Sequence, residues 1–257
     1  MTSPTSIAQH LDALLRIADF ADYPNAVNGL QVDSDVAIVR IAAAVDAREK
    51  TILAAVEAGA NLLLVHHGLF WNGVQPLAGP HLRRIRALLN SGIALYSSHL
   101  PLDAHPEIGN NVLLAREIGL IPTHGFAREK GNDIGVMGDV GIATGELVKR
   151  AHAFAQSHGG EVRTSYMEPD RLTSRWAICS GAGASSGTIR EATKRGVDTL
   201  IVGEGPYHTA IEAEERGIVV IYAGHYASET LGVQALARHV SQEFGIPWEF
   251  LHAPTGM

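Results

Sequence analysis

The sequence predicts an α/β protein of two three-layer α/β/α domains with largely parallel or mixed sheets. Three observations carry this. Short apolar, β-branched runs alternate with amphipathic segments along the chain. Several amphipathic segments stop at a glycine, as at Gly59, Gly92 and Gly119. The 257 residues, 46% hydrophobic and 18% charged, suffice for more than one core.

Ser6 is placed to cap a first helix with apolar positions at Ile7, Leu11, Leu14, Leu15 and Ile17, a helical spacing. Asn28-Gly29-Leu30-Gln31-Val32 breaks it. The run from Val36 to Val45 then reads as a buried strand. A helix over Arg48–Ala58 follows, and Asn61–Val65 is a second buried strand that leads straight into His66-His67-Gly68. His81–Asn90 is the next helix, Ile93–Ser97 a strand that opens on Ser98-His99, and Glu107–Ile118 a helix. Such repetition favours a mainly parallel sheet covered on both faces.

Residues 120–146 change character. Ile121-Pro122 and a series of glycines (Gly125, Gly131, Gly135, Gly138, Gly141, Gly145) leave only short strand candidates, and a domain boundary is expected near 123–130. A second α/β set follows. Its helices are expected at Thr144–Ser157 and Gly187–Arg195. Its strands are expected at Glu161–Tyr166, Arg175–Cys179, Thr199–Val202 and Ile218–Ala223. Ser228 is then placed to cap a long helix to about Phe244. The expected division puts residues 1–125 and about 204–257 in the domain that carries the site, and about 126–203 in the second.

Composition narrows the chemistry. A net charge of -7 argues against nucleic acid as the main partner, because phosphate contacts need clustered Lys and Arg. No signal-peptide pattern and no long apolar run is read, so a cytoplasmic protein without a membrane span is expected. The single cysteine, Cys179, excludes an internal disulfide and a thiolate-rich zinc site, and its place at the end of an apolar strand makes it a buried, inert thiol. The 13 histidines are the unusual number. Most of them, including His10, His81, His124, His152, His158, His239 and His252, fall in helical, loop or tail contexts; His105 and His208 are open. Any metal bound here is expected to be held by imidazole and carboxylate.

In open α/β sheets, sites form beyond the carboxyl ends of strands. Four such ends carry candidates: His66 and His67; His99 and Asp103; Glu204 and His208; His225 and Glu229. For the double His, one buried hydrogen-bonded ring and one exposed ring is the alternative; for Glu229, a plain first-turn preference beside the helix dipole; for Asp103, a turn residue. Taken together, His66, His67, Asp103, His225 and Glu229 are too many ligands for one tetrahedral ion. They suit two ions about 3.5–4 Å apart with one carboxylate bridging. Compatible ions are Mn, Fe, Co, Ni, Zn or Mg. The small-residue loop Cys179-Ser180-Gly181-Ala182-Gly183 is either an anion cradle or a tight strand-to-helix turn.

The segments Asn28-Gly29-Leu30-Gln31-Val32, His66-His67-Gly68-Leu69-Phe70-Trp71, His99-Leu100-Pro101-Leu102-Asp103 with Gly109-Asn110-Asn111, Cys179-Ser180-Gly181-Ala182-Gly183 and Gly224-His225-Tyr226-Ala227-Ser228-Glu229 resemble, in this order, the GTP cyclohydrolase 1 type 2 homologue family, also called NIF-three-like dinuclear metal proteins. The resemblance implies two α/β/α domains, a ring-shaped homohexamer, and metal ligands at His66 or His67, Asp103, His225 and a bridging Glu229. It leaves His99 to transfer a proton or to support the ligands. Members commonly carry Pro where this chain has Gly68, which suggests a more flexible loop exit. The resemblance implies metal-dependent hydrolysis of a small molecule, with purine nucleotide ring opening suggested by the family name. A metal-binding interaction or scaffold protein without turnover is the alternative.

Overall fold

A computed structural model describes residues 2–256. The chain forms two compact α/β units. One runs to Leu102 and takes in Gly232–Ala253; the other spans Asp103–Leu231 with the segment from Pro254.

The first unit opens with α1 (Pro4–Leu14), capped by Ser3, whose hydroxyl accepts from the Ser6 amide at 3.1 Å. The cap thus falls three residues before the expected Ser6. There follow β1 (Gly29–Val32), β2 (Ile41–Asp46), α2 (Glu49–Glu57), β3 (Leu62–His67), α3 (Gly79–Asn90), β4 (Ala94–Ser97) and the single turn α4 (Leu100–Asp103), whose last residue starts the second unit. The strand order is β1-β4-β3-β2, closed on the far side by β11 (Trp248–Phe250). β11, β2, β3 and β4 run parallel, and β1 is antiparallel to β4. The parallel strands read as unbroken apolar runs because both faces are covered: Leu62, Leu63, Leu64 and Val65 all lie inside.

The second unit holds α5 (Asn110–Glu117), β5 (His124–Glu129), β6 (Asn132–Ala143), α6 (Thr144–Ser157), β7 (Arg163–Thr164), β8 (Leu172–Cys179), α7 (Ser186–Lys194), β9 (Thr199–Val202), α8 (Tyr207–Glu215), β10 (Val219–Tyr222) and α9 (His225–Ser228). From α9 the chain passes into α10 (Thr230–Phe244), most of which belongs to the first unit. The sheet order is β5-β6-β8-β9-β10-β7. β8, β9 and β10 are parallel; the β5–β6 hairpin and β7 add antiparallel edges. Trp176, Leu147, Phe154, Ile178 and Ile221 fill one face, and Phe126, Ile189, Leu200 and Val220 the other.

Two differences from the sequence reading have physical reasons. Residues 120–146 hold a 12-residue strand rather than short fragments. Its glycines lie in the strand because neighbours press close: a Cβ at Gly135 would sit 2.3 Å from the Ile178 carbonyl, and one at Gly138 would sit 2.6 Å from the Ile121 carbonyl. The second unit also extends further than 126–203, since α5 packs on β6 and β8 and β10 hydrogen-bonds β9. Among the described residues no helix is long and apolar enough to cross a membrane.

Candidate metal centre

In the first unit, the register of the parallel strands aligns their carboxyl ends, pairing Asp46 with His67 and Val65 with Ser97. The chain leaves those ends carrying Asp46, His66, His67 and His99. His66, His67 and His99 each offer a nitrogen, and these lie within 4.8 Å of one another. His66 is fully buried.

Each ring is fixed at Nδ1. His66 Nδ1 lies 2.9 Å from the Ser98 carbonyl, His67 Nδ1 lies 2.9 Å from Asp46 Oδ1, and His99 Nδ1 lies 3.0 Å from Asp22 Oδ1. With Nδ1 engaged, a ligand bond or a proton transfer falls to Nε2, the arrangement that orients metal-bound imidazoles. Trp71 packs edge-on against the His99 ring, centroids 4.6 Å apart.

The neighbouring motif residues hold these loops in place. Asn28 Oδ1 accepts from the His99 amide at 2.8 Å, and Gln31 Oε1 from the Leu69 amide at 2.8 Å. The Gln31 amide lies where a Cβ at Gly68 would be, 2.2 Å away, so the loop exit is held by Gln31 rather than loosened by the glycine.

Asp22 is a heavily bonded carboxylate. It accepts from His99, from Asn28 Nδ2 at 2.8 Å, and from the amides of Tyr23 at 2.6 Å and Leu100 at 3.0 Å. Burial works against its charge, but the His99 hydrogen bond and charge, with Asn28 and the Tyr23 amide, hold its pKa below the usual 3.8. A depressed carboxylate contributes stability above its unfolded pKa and loses it as pH falls through the lower folded value. Asp22→Asn is therefore expected to cost about 1–3 kcal/mol at neutral pH. The gap from wild type should narrow as pH falls below about 4. Urea unfolding at pH 7 and pH 3 measures both; an equal gap at the two pH values would show that the charge is not what stabilises.

In the second unit, β8, β9 and β10 also end in register, Cys179 beside Val202 and Val202 beside Tyr222. Beyond these ends stand Ser180, Gly181, Glu204 and His225. His225 Nδ1 lies 2.7 Å from Glu204 Oε1, and its Nε2 lies 3.2 Å from Glu229 Oε2. Burial disfavours the charged ring, yet Glu229 and Glu204 outweigh it and push the His225 pKa up to about 10. Two carboxylates that hold a proton this firmly form a field suited to a cation.

Glycine is required at 181. Its φ is +59°, and a Cβ there would lie 2.1 Å from Glu229 Oε1. The 181–183 loop is a packed turn, not an anion cradle: the Gly181 amide bonds Ser228 Oγ at 3.0 Å and the Ala184 amide bonds the Glu204 carbonyl at 3.2 Å. Ser228 is thus no helix cap. Its hydroxyl donates to the His225 carbonyl at 2.9 Å and ties α9 to the loop, while Glu229 falls between α9 and α10. Asp103 Oδ1 accepts from Asn110 Nδ2 at 2.9 Å and Ser180 Oγ at 3.2 Å. Asn111 braces the same corner by accepting from the Ser180 amide at 2.7 Å. Cys179 is buried, and burial, with Asp103 and Glu229 adding, pushes its thiol pKa upward, as an inert thiol requires. His208 lies on α8, exposed.

The structure therefore brings His66, His67 and His99 together in one unit, and His225 with Glu229 in the other. Asp22 and Asp46 escaped the sequence reading. Asp46 ends an apolar strand run and follows the strand-end rule, whereas Asp22 sits in a loop with no pattern to mark it. The donor set, imidazole and carboxylate with each ring oriented, fits divalent ions.

The family model DUF34/NIF3 (NGG1p interacting factor 3) matches residues 3–255. A Deinococcus radiodurans protein named GTP cyclohydrolase 1 type 2 homolog is 40% identical over 257 residues, covering 98% of this chain and 93% of its own. Among solved structures, TTHA1606 from Thermus thermophilus is 37% identical with a TM-score of 0.86, and protein ybgI, described as of unknown function, is 31% identical with a TM-score of 0.89; both matches cover 100% of each chain. The chain belongs to the DUF34/NIF3 family.

Proposed function

We propose that the protein is a metal-dependent hydrolase. In this reading His66, His67, Asp103, His225 and Glu229 ligate two divalent ions per subunit, and His99 moves a proton. The observation that carries it is the fixing of four imidazoles at Nδ1 by Ser98, Asp46, Asp22 and Glu204. Bound divalent ions would polarise the substrate and bring the pKa of a water towards neutrality. His99, held at Nδ1 by Asp22, exchanges its proton at Nε2, and the Trp71 edge limits its rotation. Asp46 and Ser98 set the tautomers of His67 and His66. Asn110 and Ser180 aim the Asp103 carboxylate.

The name of the relatives supports a nucleotide substrate and ring opening of a purine such as that of GTP. The resemblance supports a cytoplasmic homohexamer. A second reading, a metal-binding interaction protein without turnover, draws support from the family's description as an interacting factor.

Elemental analysis of protein stripped and reloaded with Mn, Fe, Co, Ni, Zn or Mg tests this, joined to a panel of nucleotides and phosphoesters. Two ions per chain with metal-dependent turnover is the expected result. Two ions and no turnover across the panel would favour the second reading, and no bound ion would overturn both.

A further inference from the structure

The second unit contains a cavity of about 470 Å3 whose lining includes Asp103, His105, Arg116 and His124. That size lies within the range of small-molecule sites, about 300–1,000 Å3. Val112, Leu120 and Val136 give it apolar lining.

The lining is rich in donors. Arg116 lies on the exposed side of α5, donates from Nη1 to the Glu107 carbonyl at 3.3 Å, and pairs with no carboxylate among the described residues. His105 Nδ1 accepts from the amides of Glu107 at 3.2 Å and Ile108 at 3.3 Å. His124 Nδ1 is held by Thr123 Oγ1 at 2.9 Å. The acidic group in the wall, Asp133, is engaged by Arg128 Nη1 at 3.0 Å. Gly125 permits that pairing, since a Cβ there would lie 2.4 Å from Asp133 Oδ2. Asp103, also in the lining, accepts from Asn110 Nδ2 and Ser180 Oγ.

We propose that this cavity binds a small organic anion, its carboxylate or phosphate on Arg116, His105 and His124 and its apolar body along Val112, Leu120 and Val136. Guanidinium and imidazole N–H groups suit either oxyanion. The inference deepens the hydrolase reading, because the cavity borders a proposed ligand, Asp103. It names the substrate class as a small organic anion.

The test titrates the full chain, metal-stripped and separately reloaded, with phenyl phosphate, benzoate and the neutral benzyl alcohol, followed by NMR of histidine rings and methyl groups. At least one anion should shift His105, His124 and the Val112 and Leu120 methyls saturably in stripped protein, while benzyl alcohol does not. The tighter anion assigns phosphate or carboxylate. Arg116→Gln should weaken binding about tenfold or more, as loss of a charged hydrogen bond does, with bound metal and melting temperature unchanged. No shift by either anion would overturn the proposal, as would equal shifts by benzyl alcohol or indifference to Arg116→Gln. So would binding that needs metal and vanishes in Glu229→Gln. A chain that binds no metal but binds the anion through Arg116 sinks the hydrolase reading and leaves this one standing.

Discussion

Glu229→Gln is expected to cost the protein its bound divalent metal, with affinity falling by more than the roughly 10–100-fold that loss of a supporting residue costs. The substitution keeps the shape of a side chain that is 3% exposed and removes only its charge, so the fold is expected to persist. Dialysis followed by elemental analysis gives the metal content, and circular dichroism checks the fold. A second readout needs no metal at all. With Glu229 neutral, His225 loses the stronger of the two carboxylates that raise it, and its pKa should fall from about 10 towards the ordinary histidine range. NMR titration of the stripped protein reads this directly. Full metal occupancy in the variant would remove Glu229 from the proposed ligand set, whatever the His225 titration showed.

Trp176→Ala is expected to destabilise the second unit by about 3–5 kcal/mol, the usual cost of emptying a buried aromatic site. Trp176 is fully buried among Leu147, Phe154, Ile178 and Ile221. Its ring lies against the backbone of Gly138, where a Cβ would come within 2.9 Å of Cζ2, so the surrounding β-sheet cannot easily collapse into the space. Trp176 Nε1 is buried without a hydrogen-bond partner among the described residues. Trp176→Phe should therefore lose much less, since it keeps a ring and removes a costly unpaired donor. Amide hydrogen exchange of β6, β8 and β9 reports the loss in this unit, with unchanged protection in β2 and β3 as the internal control. A loss shared evenly by both sets would contradict a local cavity.

Much of the architecture was legible because parallel strands are buried on both faces. Ile41–Asp46, Leu62–His67 and Thr199–Val202 announce themselves as apolar runs, and the strand-end rule then points to His66, His67, His99, His225 and Glu204. The β5–β6 hairpin was hidden because Gly135 and Gly138, read locally, say loop. Only the Ile178 and Ile121 carbonyls, distant in sequence, explain them. β11 is three residues long and is a strand only because β2 offers an edge. Ser228 read as a cap by its position, but its hydroxyl serves the Gly181 loop, a tertiary contact that no local pattern encodes. Asp22 is invisible for the same reason. Its partners His99 and Leu100 lie 77 and 78 positions away.

The pairing of β11 with β2 also bears on how the chain is made. The first sheet needs Trp248–Phe250, yet its other four strands are complete by Ser97. The second sheet, from His124 to Tyr222, is contained in the stretch between. During synthesis, the interrupting unit can close its hydrogen-bond ladder first. Meanwhile β2 waits on the ribosome with an open edge, Ile41–Ala43, for a strand not yet made. The nascent chain is most exposed to mispairing in that interval, so translation pauses before Trp248 would lengthen the hazard and a chaperone that shields strand edges would shorten it.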